Sequence, residues 1–278
     1  ELRGSHRWLQ NVITHEFAHI VSLQKSMKAG TRIPGAYFQY MNYEDEKRPD
    51  VLYGYPNTLV SYPVPGTCVP PWLAEGIAQY MYDDADWDNW DSHRDMILRD
   101  RVINDNMLTF TEMNTFGKKG IGNESTYNSG FALSTYIANE YGSATLSDIM
   151  GELSSPLQFS INKAIFNVIG RSGDKVYQDF KNSIEAKYNT LVDPIRVMPV
   201  QGEVMQTEGT TNIHPKWNPS GSSYAYLSNK GNDYFGQTSL YVHDFETGED
   251  KKIKSGVFSA PTWHPNGKMI YYSRKPKL

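Results

Sequence analysis

Two histidines and a glutamate lie close together near the start of the chain, in the segment His15-Glu16-Phe17-Ala18-His19. Residues four apart share one face of a helix, so both imidazoles can reach one metal ion while Glu16 lies beside it. Zinc suits such a site because it binds imidazole nitrogen at about 2.0–2.1 Å and carboxylate oxygen at a similar distance. The segment therefore predicts a zinc site that includes His15 and His19.

A catalytic zinc site usually has three protein ligands and one open position, so a third ligand is required. Glu75 is the best candidate, in the segment 71–80, which reads PWLAEGIAQY. Its carboxylate lies on an otherwise apolar predicted helix, where a charge needs a partner that a metal ion would provide. The alternative is an ordinary surface glutamate. Pro71 suits the first helical turn, and Gly76 would let this helix approach a neighbour closely.

The first segment lies in a predicted helix over residues 5–29, with Ser5 as its N-cap and Gly30 as its left-handed stop. Several apolar residues of this helix recur at helical spacing, and we expect them to face the core. They are Leu9, Val12, Ile13, Phe17, Ile20 and Val21. Residues 31–71 then predict a long irregular insertion with a hairpin around 51–62.

Helical patterns resume at Pro71 and continue, with breaks, to about Leu191. One apolar stripe lies within residues 161–169, where Gly170 ends the helix, and a second lies within residues 176–188. Such stripes indicate core packing rather than chemistry. The N-terminal two-thirds of the chain is therefore predicted to be helical.

After Asp193-Pro194 the helical periodicity disappears, and short β-rich runs alternate with turn residues. The stretch 215–221, PKWNPSG, returns 46 residues later as PTWHPNG in 261–267, and each copy precedes an aromatic strand. A period in this range is typical of a β-propeller with one four-stranded blade per repeat. An unrelated pair of hairpins is the alternative. Because a propeller cannot close on this much chain, we expect the chain to be part of a longer protein.

These motifs resemble two known families. The H-E-x-x-H segment followed by Trp72-Leu73-x-Glu75-Gly76-x-Ala78-x-Tyr80 is similar to the gluzincin metallopeptidases, and the repeats resemble TolB-type β-propellers. The resemblance implies a multidomain α+β protein. Its mainly α-helical gluzincin-like peptidase domain covers residues 1–192, and an incomplete all-β propeller-type region covers residues 193–278.

The resemblance to the gluzincins also implies roles for single residues. His15, His19 and Glu75 would bind Zn²⁺, and Glu16 would be the general base. Tyr127, in the family's Y-x-x-G position, would donate a hydrogen bond to the developing oxyanion, unless it is only a packed tyrosine. Aminopeptidase specificity is not implied, because no segment similar to those enzymes' G-A-M-E-N motif is present.

For the other candidate site residues, a role without chemistry is the alternative interpretation. His93 is a second possible oxyanion donor, and Gln79 could orient a ligand or simply lie on the helix surface. Asp84, Asp86 and Asp88 imitate the start of a calcium loop but lack its glycine, so a solvated acidic loop is the preferred interpretation. We expect structural roles for three further histidines and for the single cysteine. They are His214, His243, His264 and Cys68.

The net charge of −4 and the isoelectric point near 6.0 do not favour binding to nucleic acid or to an anionic membrane. No apolar run is long enough to span a membrane. The resemblances to gluzincins and TolB-type propellers imply a peptide or protein as substrate, a protein partner for the propeller, and a periplasmic or secreted location. The alternative function is a binding or assembly protein that keeps a zinc-peptidase scaffold without catalysis.

Overall fold

The computed structural model describes residues 8–30, 32–33, 35–43, 45–47, 56–64, 66–81, 92–115, 124–232 and 236–274. These residues form a mixed α+β structure with seven α-helices and three small sheets. The chain divides into a helical unit, Glu1–Met41 with Thr58–Pro199, and a β unit, Asn42–Asn57 with Val200–Leu278. No helix in the described ranges is long and apolar enough to cross a membrane.

The helices are α1 Trp8–Ser26, α2 Pro71–Tyr80, α3 Ser92–Ile103, α4 Glu124–Tyr141, α5 Ala144–Leu153, α6 Ile161–Ile169 and α7 Gly173–Val197. A 3₁₀ turn covers Glu112–Asn114. The strands are β1 Tyr37–Tyr43, β2 Pro56–Pro63, β3 Asn212–Trp217, β4 Ser223–Ser228, β5 Ser239–Asp244, β6 Asp250–Ser255, β7 Thr262–Trp263 and β8 Ile270–Tyr271.

Helix α2 lies in the centre of the helical unit, and every residue from Pro71 to Gln79 is buried. It packs most closely against α4. A Cβ atom on Gly76 would lie 2.4 Å from the carbonyl oxygen of Gly130, and a Cβ on Gly130 would lie 2.3 Å from the carbonyl oxygen of Trp72. Two glycines therefore allow the two helix backbones to touch, which confirms the close approach predicted for Gly76.

The last two helices follow their predicted patterns. Ser160 caps α6 by accepting a hydrogen bond from the Lys163 backbone N–H, and Gly170 ends it with a φ of 79°. The core side chains of α7 include Val176, Phe180 and Tyr188. The domain boundary predicted at residue 193 lies inside α7, which continues through Pro194 to Val197.

The apolar stripe of α1 does not face the core of the described helical unit, so that prediction is wrong. Five of its residues are 53–63% exposed: Leu9, Ile13, Phe17, Ile20 and Val21. The reason is the rotation of α1 about its own axis. The α1 face that turns toward α2 carries His15, His19 and the buried Ser22, with the half-buried Val12 beside them, and the five exposed residues lie on the opposite side. Helix α1 ends at Ser26, before the predicted end at residue 29. Gly30 has the positive φ predicted for it, and Ala29 has one as well, whereas Ser5 lies outside the described residues.

The insertion between α1 and α2 is less irregular than predicted. Its strands β1 and β2 pair with each other, so the first strand lies well before the predicted 51–62 hairpin. The segment leads back to α2 through Thr67 and Cys68, and the Cys68 thiol donates to the carbonyl oxygen of Ala36 at 3.4 Å. Cys68 is therefore a packed thiol that ties the end of this segment to its start.

The β unit contains an antiparallel four-stranded sheet in the order β3-β4-β5-β6. The predicted 46-residue repeat is visible in its turns. The backbone N–H of Asn218 donates to Ser223, and that of His264 donates to Met269 at the equivalent position. Gly221 and Gly267 close the two turns with φ near 70°. The two stretches therefore adopt the same local structure, and the second supplies the pair β7–β8.

Candidate metal centre

Three side chains predicted to bind a metal come together between α1 and α2. His15 Nε2 lies 3.1 Å from Glu75 Oε2, His19 Nε2 lies 3.3 Å from the same oxygen, and the two Nε2 atoms are 3.0 Å apart. The side chains are 10–17% exposed, so the cluster is largely shielded and still open to solvent on one side. These are the residues of the described chain whose donor atoms could share one metal ion.

The triangle of donor atoms fits a tetrahedral zinc site. Ligands at about 2.0–2.1 Å from a tetrahedral ion are about 3.3 Å apart, close to the observed 3.0–3.3 Å. Two neutral imidazoles and one carboxylate leave a fourth position, which catalytic zinc sites keep for water or substrate. The residues present therefore fit zinc chemistry without rearrangement of the backbone.

The electrostatics of the cluster also favour a bound cation. Burial alone would raise the pKa of Glu75, but hydrogen bonds from His15 and His19 lower it to about 2, so the carboxylate is ionised. The hydrogen bond to Glu75 raises the pKa of His19 against the opposing effect of burial, with a further contribution from the charge of Glu16. Both shifts favour positive charge beside an ionised carboxylate at this position.

Helical geometry explains why these residues meet. His15 and His19 are one turn apart on the α1 face that packs against α2. Glu75 precedes Gly76, the residue at which α2 touches α4, so its backbone is fixed by the closest helix contact of the unit. Trp72 anchors the start of the same helix, since its indole N–H donates to Asn114 Oδ1 at 3.1 Å.

The two residues with predicted catalytic roles lie beside the cluster. Glu16 is exposed, next to His15 on α1, and its charge acts on His19. The Tyr127 ring lies 6.4 Å from the His15 ring, centroid to centroid, and is nearly parallel to it at 16°. The N-terminal part of α4 therefore brings an aromatic ring close to His15.

The remaining candidates divide into two groups. The side chain of His93 lies outside the described residues, as do Asp84, Asp86 and Asp88. Gln79 is buried rather than on the helix surface, and its Oε1 has no hydrogen-bond partner among the described residues. Among the described residues, Gln79 Oε1 therefore makes no hydrogen bond that would support its predicted role in orienting a ligand.

Tyr37 on β1 belongs to the surroundings of the site, although no sequence pattern selects it. Burial, together with the Cys68 thiol and the charge of Glu75, raises the pKa of the Tyr37 hydroxyl to about 12. The hydroxyl therefore lies within electrostatic range of the Glu75 carboxylate. No motif links Tyr37 to Glu75, because only the fold of the irregular segment brings them together.

The histidines of the β unit have the structural roles that were predicted for them. His243 shares a hydrogen bond with Asp250 at 3.1 Å across neighbouring strands. His264 Nδ1 accepts from the Asn266 backbone N–H inside its turn. His214 adopts a φ of 55° where the β3–β4 register shifts.

A scan against protein-family models, a search of curated proteins and a search of solved structures each return no match for this chain.

Proposed function

We propose that the chain is a zinc-dependent metallopeptidase of the gluzincin type. The observation that carries the proposal is the triangle formed by His15 Nε2, His19 Nε2 and Glu75 Oε2, with sides of 3.0–3.3 Å. Two histidines from one helix and a glutamate from a second helix form the donor set of a catalytic zinc site rather than a closed structural one. The spacing of the motif and the exposed position of Glu16 support the same interpretation.

Each residue then has a defined task. His15, His19 and Glu75 would hold the zinc ion, which would supply Lewis-acid polarisation of a peptide carbonyl and a water molecule of lowered pKa. Glu16 would act as the general base that accepts a proton from water, for which its exposed carboxylate has the required freedom. Tyr127 donates its hydroxyl hydrogen to the oxygen on which negative charge develops. Its nearly parallel packing on the His15 ring holds the phenol at the site.

We further propose that the helical unit is a gluzincin-like peptidase domain and the β unit a propeller-type region that binds partners or restricts access. The peptidase part is supported by α1 and α2, which carry the zinc motif and the third ligand. The propeller part is supported by the four-stranded sheet and by the repeated turn at Asn218 and His264. A periplasmic or secreted location remains part of this proposal.

The test compares Glu16→Gln with the wild type on a peptide library in the presence of zinc. Glu16→Gln should keep zinc, since Glu16 is not in the donor triangle, and should lose hydrolysis by about 10²–10⁴-fold. Glu140→Gln, at an exposed position on α4, is the matched control and should keep full activity. Equal turnover by wild type and Glu16→Gln would reject Glu16 as the base.

The alternative function is a binding or assembly protein that retains the zinc scaffold without catalysis. The same experiment separates it from the peptidase, because such a protein would bind zinc in the wild type and in Glu16→Gln with no cleavage by either. A library with extended and amino-terminally blocked peptides also distinguishes endopeptidase from exopeptidase action.

A further inference from the structure

Helix α1 is attached to the rest of the helical unit by polar bonds just beyond its C-terminal end. Lys28, two residues after the helix, is only 6% exposed. Its ammonium group donates to three backbone carbonyl oxygens, those of Leu153 at 2.8 Å, Gln158 at 2.7 Å and Ser155. An ammonium has three N–H donors, so all of them are used. Lys28 therefore binds carbonyls at and after the end of α5, where the helix itself supplies no partners.

The backbone turns sharply to bring Lys28 into this position. Ala29 has a φ of 51° and Gly30 a φ of 60°, both in the left-handed region. A residue with a Cβ keeps this conformation only where surrounding contacts compensate for its strain. The three hydrogen bonds of Lys28, the preceding residue, supply such contacts. Lys25, in the last turn of α1, also donates to Ser147 Oγ on α5, so two lysines attach the end of α1 to α5.

The connection between α5 and α6, residues 154–160, also contacts the chain that leads into α2. A Cβ on Gly66 would lie 2.2 Å from Phe159 Cδ1, so the Phe159 ring packs directly on the backbone of Gly66. The centre of the same ring lies 5.5 Å from the Lys28 ammonium. One short connection therefore touches both the end of α1, which carries the histidines, and the entry to α2, which carries Glu75.

Apolar packing alone does not fix the distance between these two parts of the chain. Lys28 and Thr67, one from each part, both border a cavity of about 430 Å³. The apolar stripe of α1 is exposed, so its burial contributes little to holding the helix. Hydrogen bonds from a charged donor are stronger than those between neutral groups. The bonds of Lys28 are therefore a principal restraint on the C-terminal end of α1.

We propose that Lys28 is a positioning residue for the metal centre, acting through residues 154–160. The inference rests on the proposed function, in which His15, His19 and Glu75 bind zinc. Because a helix moves as a unit, fixing its end at Lys28 fixes the height and rotation of the two histidines relative to Glu75. Metal–ligand distances vary by only about 0.2 Å, so a small displacement of α1 is sufficient to weaken zinc binding.

The test removes the three donors of Lys28 and measures zinc affinity by competition with a chromophoric chelator. Lys28→Met should bind zinc about 10-fold more weakly or worse, the loss expected when a group that orients metal ligands is removed. Lys28→Arg keeps donors for the carbonyls and should restore most of the affinity. Lys163→Met is the matched control, because exposed Lys163 also lies over an aromatic ring, 4.9 Å from the centre of Phe166. It should bind zinc as the wild type does.

A second control separates positioning from a general loss of stability. Ile165→Ala removes core packing on α6, where Ile165 is 1% exposed, and should lower stability while zinc affinity stays at the wild-type value. Hydrogen exchange of the metal-free chains, followed by mass spectrometry, gives a readout that needs no zinc. Lys28→Met should increase amide exchange along α1 and leave that of α4 unchanged, since the loss of the anchor frees one helix.

Zinc affinity of Lys28→Met equal to that of the wild type would overturn the proposal, as would an equal loss in Ile165→Ala. If Lys28→Met does not fold, Phe159→Ala replaces it, because that ring is 58% exposed and its removal loosens the same connection. Wild-type affinity in Phe159→Ala would then overturn the proposal. A wild type that binds no zinc would instead refute the proposed function. Hydrogen exchange would still decide whether Lys28 anchors α1, since unchanged exchange of α1 in Lys28→Met would overturn it.

Discussion

The two helices that form the candidate metal centre are packed very differently. Helix α2, which carries Glu75, is buried on all sides from Pro71 to Gln79, whereas Ser22 is the one residue of α1 with a fully buried position. Helix α1, which carries His15 and His19, contacts its neighbours along one narrow face. Glu75 therefore lies on the central helix of the helical unit, and the two histidines lie on a helix that packs through one face against α2 and α5.

Because α1 and α2 are packed so differently, we expect the residues that determine stability to differ from those that would determine metal binding. Changes on α2 should affect both the fold and the site, because Glu75 is part of the core. Changes on the exposed face of α1 should leave both unchanged. Changes to the ligands themselves should affect the metal far more than the fold. Four measurements test this division.

The largest effect on stability is expected at Gly76. A Cβ at this position would lie 2.4 Å from both the Gly130 carbonyl oxygen and Ser134 Oγ, so α2 and α4 must separate to accommodate it. Gly76→Ala should lower the free energy of unfolding by about 3 kcal/mol, despite the better helix propensity of alanine. Urea unfolding measures this change. Gly202→Ala, where a Cβ meets nothing within 4 Å, is the matched control and should cost almost nothing.

A smaller effect is expected from pH in the metal-free protein. The pKa of Glu75 is lowered from 4.5 to about 2, so its contribution is present above about pH 4.5 and is lost as the pH falls toward 2. The pKa of His19 is raised from 6.5, so its contribution is present below that pH and is lost as the pH rises through the folded-state value. Metal-free protein should therefore be most stable between about pH 4.5 and 6.5.

Urea titrations across this range measure the effect, which should be on the order of 2 kcal/mol. Glu75→Gln removes the carboxylate and should flatten the profile over the same interval. Saturating zinc should move the maximum to higher pH, because a metal ion competes with protons for the imidazoles. A wild-type profile that matches that of Glu75→Gln would show that the histidines and Glu75 do not interact as described.

The smallest effect is expected on the exposed face of α1. Phe17→Ser should change the free energy of unfolding by no more than about 0.5 kcal/mol, because the ring is 63% exposed. Ile77→Ala, on α2 and only 3% exposed, should cost about 2–4 kcal/mol. Comparable losses for the two variants would mean that α1 is packed as tightly as α2.

Local patterns predicted local structure well. The end of α6 at Gly170 followed from backbone freedom at a single position, and the repeated Pro-x-Trp-x-Pro-x-Gly stretch predicted two equivalent turns. The meeting of the cluster residues was also predictable, since the i, i+4 spacing of His15 and His19 places both on one face. Glu75 was identifiable because an isolated carboxylate in an apolar helix requires a partner.

Other structural features depend on which face of a helix packs against which neighbouring helix. The spacing of apolar residues in the sequence does not contain that information. The apolar stripe at Ile13 and Phe17 has the correct spacing for a core face, yet the histidine face is the one that packs on α2. The end of α7 was misplaced because Pro194 can be tolerated within a helix whose other residues continue the pattern. Tyr37 approaches Glu75 only through the path of the chain between α1 and α2.

The central claim is that His15, His19 and Glu75 bind one zinc ion, and metal analysis of the purified chain tests it most directly. After dialysis against trace zinc, the wild type should contain about one zinc ion per chain. His15→Ala and Glu75→Gln should each lose it, while Phe17→Ser and Glu16→Gln should retain it. A wild type that contains no zinc, or a His15→Ala variant that binds zinc as tightly as the wild type, would contradict the account.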